Sequence, residues 1–159
     1  MTTEERPFDR VRRKMVAARV EFIGQLAKFS KEELSTAPAE GEWSPLELAH
    51  HLYVADGLAL EQMRLVQEED NPLIAAVEEE APRRTRASEP PASLESVLAG
   101  MAARREEIFE YLSQLPDEAW ERPFRHHRRG EGKFYQLVNV LPRHDQLHAQ
   151  QLVAIREKV

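Results

Sequence analysis

Apolar residues recur at intervals of three and four along almost the whole chain, the spacing that gives a helix one buried face. Val11, Met15, Ala18, Phe22, Leu26 and Phe29 form one such stripe and predict a first helix over about Phe8–Phe29. A polar turn follows, "SKEELSTAPAEGEW". Then "SPLE" marks a helix start: Ser44 is an N-cap, Pro45 takes the first helical position and Glu47 completes a capping box. This second helix runs to about Gln67 on the stripe Leu48, His51, Leu52, Ala55, Leu58, Ala59, Gln62 and Val66.

The next stretch is rich in charge and proline. "DNPLIAAVEEE" reads as a short helix capped by Asn71 with Pro72 at its first position, and "APRRTRASEPP" as a loop. A third helix over Ser93–Leu115 carries Leu94, Val97, Leu98, Met101, Ile108, Leu112 and Leu115. After a loop with a basic patch, "PDEAWERPFRHHRRGEGK", a last helix over about Phe134–Glu157 carries Leu137, Leu141, His144, His148, Leu152 and Ile155. Pro142 falls inside it and predicts a kink, or first turns that form a separate piece. Strand signals are nearly absent. Four helices of this length bury their stripes best as an all-α four-helix bundle, and the long connecting loops permit topologies other than up-down-up-down.

Composition narrows the function. A chain of 159 residues, 42% hydrophobic, suits one domain over residues 1–159 with an ordinary core. A formal charge of -6 argues against nucleic acid as the main partner. No apolar run approaches the roughly 18 residues of a membrane span. The charged start, "MTTEERPFDR", has no apolar core for a leader, so a cytoplasmic location is expected. Cysteine is absent, which excludes disulfides, a thiol nucleophile and cysteine-ligated metals. Any metal must be held by His, Asp or Glu.

His144 and His148 stand four residues apart on one face and continue an apolar stripe, and His51 sits on the inward stripe of the second helix. Such residues are either core imidazoles bonded to carbonyls and carboxylates, or ligands. Three imidazoles facing one interior would leave a metal position open, the pattern of a reactive site. Asp56 and Asp145 are candidates for orienting an imidazole or handling a proton; solvated or capping roles compete with these. His50 belongs at the edge of its helix interface. In "FRHHRRGEGK", Arg125, Arg128, Arg129 and Lys133 could form a rim for an anionic ligand, against a solvated basic loop or a nucleic-acid contact.

Two motifs together resemble a known family. "WSPLELAHHL" resembles a pattern of tryptophan, then Ser or Thr, then a histidine eight residues after the tryptophan. "HDQLHAQQL" resembles a His-x-x-x-His-x-x-Gln signature near the C-terminus. In this order and distance they resemble the DinB-like superfamily of bacterial helical-bundle metalloproteins, over nearly the whole chain. The resemblance implies a four-helix bundle of DinB-like type that binds a divalent metal, often zinc or nickel, through His51, His144 and His148. It implies a family glutamine at Gln151 and a family acidic position at Asp56. It also implies small-molecule transferases, isomerases and hydrolases, some using a low-molecular-weight thiol such as bacillithiol or mycothiol, beside members without assigned activity, and frequent homodimers. The expectation is a metal-dependent thiol S-transferase or related hydrolase, or else a metal-binding or scaffold bundle. Two residues depart from the pattern: Pro142 precedes the first C-terminal ligand, and Leu147 stands where many members carry histidine.

Overall fold

A computed structural model of the chain describes residues 5–158. Residues 1–4, part of the charged start read for a leader, and residue 159 lie outside it. The elements in order are α1 (Pro7–Leu26), α2 (Lys31–Leu34), α3 (Pro45–Glu68), β1 (Leu73–Ile74), α4 (Val77–Ala87) and α5 (Leu94–Ser113), then a 3₁₀ turn (Asp117–Glu121), β2 (Pro123–His126), β3 (Gly130–Lys133) and α6 (Phe134–Lys158). The four long helices form the bundle: α1 packs on α6, α6 on α3, α3 on α5, and α5 back on α1, while α4 covers α3. No described helix is long and apolar enough to cross a membrane.

The segment between α3 and α5 differs from expectation. Asn71 takes a positive φ of 45° instead of capping a helix, and Leu73–Ile74 pairs in parallel with Arg125–His126. The backbone N–H of Arg125 donates to the Pro72 carbonyl at 2.8 Å, anchoring that strand. The helix comes later, over Val77–Ala87, most of it in the stretch read as loop. Val77, Ala81 and Thr85 are buried four residues apart. Glu78, Glu79 and Glu80 open α4 while Arg84 and Arg86 close it, the arrangement the helix dipole favours. This short stripe and its end charges hold the helix despite Pro82.

β2 and β3 form an antiparallel hairpin, completing a small sheet in the order β1-β2-β3. Its turn uses Gly130 at φ 80°, a region that favours glycine. Gly132 faces Phe124 so closely that a Cβ there would meet the ring at 2.6 Å. Pro142 does not divide the last helix, which runs unbroken from Phe134 to Lys158 with Pro142 buried.

The core falls into two apolar clusters. One holds Met15, Met63, Ile108, Trp120, Phe134 and Leu141; the other holds Phe22, Leu48, Leu52, Met101 and Leu152. Along each bundle helix a buried charge lies between the two: Arg19 on α1, Asp56 on α3, Arg105 on α5 and Asp145 on α6.

Candidate metal centre

The Ser44 hydroxyl accepts from the Glu47 N–H at 3.1 Å, and the Ser44 N–H donates to the Glu47 carboxylate at 3.0 Å. This box fixes where α3 begins and hence its phase. His51 then points inward beside Leu48 and Leu52, 2% exposed. His144 and His148 project from one face of α6 toward it, each 9% exposed.

The three rings meet through their Nε2 atoms. His144 Nε2 lies 3.3 Å from His51 Nε2 and 3.0 Å from His148 Nε2. A tetrahedral ion with metal–nitrogen bonds of about 2.0–2.1 Å sets neighbouring nitrogens about 3.3 Å apart. The spacing observed is close to that.

Hydrogen bonds behind the rings decide which nitrogens carry protons. The Thr85 hydroxyl donates to the Ala81 carbonyl at 2.7 Å, so it presents a lone pair to His51 Nδ1 at 3.1 Å. His51 therefore donates through Nδ1. The Gln151 side-chain oxygen lies 2.8 Å from His148 Nδ1 and makes that atom a donor too. Neutral His51 and His148 thus both aim lone pairs at His144 Nε2. A single proton on that atom satisfies one of them; one cation at the meeting point satisfies all three.

Burial shifts all three rings toward the neutral form. Burial, then the charges of His144 and His148, lower the pKa of His51 to about 3. Burial and then His148 lower that of His144 to about 4. Burial likewise lowers His148, opposed by the bond to Gln151. Neutral imidazole is the ligand form. The half-buried Trp43 ring packs on His51 with centroids 4.6 Å apart, and the Arg86 guanidinium lies 5.9 Å over Trp43. His50, at the edge of the interface, bonds the Ser88 hydroxyl at 2.8 Å.

Asp56 and Asp145 are engaged elsewhere. Arg19 binds Asp145 with two nitrogens, at 3.1 and 3.2 Å, and Asp56 at 2.9 Å. Arg105 reaches both oxygens of Asp56, at 3.2 and 3.3 Å, and Asp145 at 3.2 Å. Burial would lower the Arg19 pKa, but Asp56 and Asp145 outweigh it and the pKa is raised. The result is a neutral layer of two cations and two anions, one from each bundle helix, adjoining the triad through Asp145 and His144. Neither carboxylate bonds a triad imidazole.

The basic loop is tied down. Arg125 donates to the Asn71 carbonyl at 3.0 Å, Arg128 pairs with Glu79 at 3.0 Å, Arg129 with Glu78, and Lys133 with Glu121 at 2.9 Å. Gln151 stands behind His148 rather than on the side where the Nε2 atoms converge. Thr85, Arg19 and Arg105 escaped the sequence reading. Thr85 gave no signal, lying in a stretch read as loop. Arg19 and Arg105 did: each stands four residues after and three before buried apolar residues of its helix, Met15 and Phe22, Met101 and Ile108.

Residues 13–152 match the DinB superfamily. The chain belongs to that family. Among DinB relatives, it is 26% identical over 153 residues to the uncharacterized protein YuaE of Bacillus subtilis (strain 168), covering 89% of this chain and 94% of YuaE. The DinB bundle also matches solved structures. YfiT from Bacillus subtilis, described as "a probable metal-dependent hydrolase with an unusual four-helix bundle topology", superposes with a TM-score of 0.73 at 16% identity, over 95% of this chain and 86% of YfiT. The mycothiol-dependent maleylpyruvate isomerase superposes with a TM-score of 0.68 at 15% identity, over 96% of this chain and 63% of the isomerase. Identities this low establish the DinB fold alone.

Proposed function

We propose that this DinB protein is a metal-dependent enzyme whose divalent ion, zinc or nickel, is held by His51, His144 and His148. Its reaction is a thiol S-transfer or a related hydrolysis on a small molecule. The observation that carries this reading is the convergence of three Nε2 atoms, with Thr85 and Gln151 placed to hold the protons on the far side of His51 and His148, which leaves two lone pairs that one proton on His144 does not satisfy together. The descriptions of YfiT as metal-dependent and of the isomerase as mycothiol-dependent support it.

Three imidazole ligands leave a coordination position open, and a divalent ion there would favour the deprotonated form of a thiol or water at neutral pH. The chain supplies the rest. Thr85 and Gln151 hold the ring tautomers, Trp43 limits access of water to His51, and the charged layer locks α3 and α6 at a set separation. The thiol is of the low-molecular-weight bacillithiol or mycothiol kind. The active form is a homodimer, supported by apolar side chains left exposed on α1 (Val16, Val20, Ile23) and on α6 (Leu147, Val153).

Metal analysis of untagged protein tests the reading. It requires about one divalent ion per chain in wild type and loss of that ion in His144→Ala. A cobalt-substituted protein should change its visible spectrum when a small thiol is added. Metal-free wild type that takes up no ion on reconstitution would end the proposal, and an unresponsive cobalt spectrum would leave only a scaffold.

A further inference from the structure

A cavity of about 730 Å³ opens between α1, α6, the start of α4 and the β2–β3 hairpin. Its lining includes Val140, one turn or about 6 Å before His144 on the same face of α6. On α3 it includes Gln62, which continues the stripe of His51. The cavity therefore shares these two helix faces with the triad, although none of the three histidines lines it.

Its walls combine an apolar body with uncompensated positive charge. Val11, Ile74, Trp120, Phe124 and Val140 give the apolar part. Four acidic residues line it, but three are neutralised: Glu78 by Arg129, Glu121 by Lys133 and Asp117 by Arg6. Against the remaining Glu131 stand Arg10, Lys14 and Arg143. Lys14 and Arg143 make no ion pair among the described residues. Arg10 reaches only the edge of Glu5, at 4.0 Å, and Arg13 already holds that carboxylate. Arg10 and Lys14 are one turn apart on α1, a like-charge pair that disfavours itself unless an anion lies between. Two buried wall atoms, Gln62 Oε1 and Trp120 Nε1, also lack a partner.

We infer that this cavity binds an organic acid, its carboxylate at Lys14, Arg10 and Arg143 and its apolar or aromatic body against Trp120 and Phe124. Three cations opposed by one carboxylate suit one or two negative charges, not a polyphosphate. Arg143 fits a carboxylate with two parallel N–H donors. The binding itself needs no metal; that the acid is the enzyme's substrate rests on the function proposed above. The site is distinct from the loop cations Arg125 and Arg128, which serve to pin the hairpin.

Calorimetric titration with 3-phenylpropionate and its neutral amide tests this, on metal-free and metal-loaded protein. The acid should bind at least tenfold more tightly than the amide in both forms. Lys14→Gln and Arg143→Gln should each remove most of that preference, while Arg12→Gln, the same charge change on the same helix outside the cavity and away from Glu5, should keep it. Lys14 is solvent-exposed, so its substitution leaves the fold intact. Equal binding of acid and amide, no binding of either, or an unchanged preference in Lys14→Gln would each overturn the inference. Acid preference in a protein that takes up no metal would support the cavity and sink the metal reading; metal uptake without acid preference would do the reverse.

Discussion

Arg19 of α1 grips Asp145 of α6 through two hydrogen bonds, 3.1 and 3.2 Å long, beside the first C-terminal histidine of the triad. With Asp56 and Arg105 it closes a four-residue charged layer that interrupts the apolar core at one level. Removing one partner leaves an uncompensated buried charge. Arg19→Met should therefore destabilise the protein by about 3–5 kcal/mol, measured by urea denaturation. Replacing all four residues together by apolar ones of similar volume should recover most of that loss. A quadruple variant no more stable than Arg19→Met would show that the layer contributes more than mutual neutralisation.

Thr85 should matter to the metal, although it touches none. Thr85→Val keeps the shape and removes the lone pair that accepts from His51 Nδ1. Divalent-metal affinity should fall about 10–100-fold, with little change in secondary structure by circular dichroism. Thr85→Ser should restore it. Affinity equal to wild type in Thr85→Val would mean that the His51 tautomer is set by something else.

The histidine pKa values predict how the metal-free protein responds to acid. His51 and His144 are lowered to about 3 and about 4, against 6.5 in the unfolded chain. Between these limits the unfolded state binds more protons, so stability rises with pH. It should be fully present above about pH 6.5 and decline toward pH 4, each histidine contributing at most about 1.4 kcal/mol per pH unit. Thermal melts of His51→Phe and wild type across this window check it. The variant should show the shallower slope, and parallel slopes would refute the assignment.

The exposed apolar side chains of α1 predict a mass. Val20 is 64% exposed between Val16 and Ile23 on that face. Sedimentation should give a dimer for wild type and a monomer for Val20→Glu. A wild-type monomer at tens of micromolar would remove the homodimer from the proposal.

Much of this was legible in the residues. The period of three and four laid out α1, α3, α5 and α6 to within a few residues, because helix burial imposes its repeat on the chain directly. "SPLE" placed the start of α3, since a capping box is a local structure. The histidine spacing on α6 and the place of His51 on a buried stripe marked the candidate ligands. α4 and the small sheet were not legible: α4 carries Pro82 and a short stripe, and β1 exists only because β2 lies beside it.

The sequence alone therefore determined the features that neighbours along one helix set: the phase of each stripe, the cap, and which histidines face inward. Tertiary structure decided everything that needs two helices at once. It brought the Nε2 atoms of His51 and His144 to 3.3 Å, placed Thr85 behind His51, and set Asp56 and Asp145 against Arg19 and Arg105. The reason is physical. A helical repeat fixes the direction of a side chain, but its partner across the bundle depends on axial register between helices, which the packing of the whole core selects.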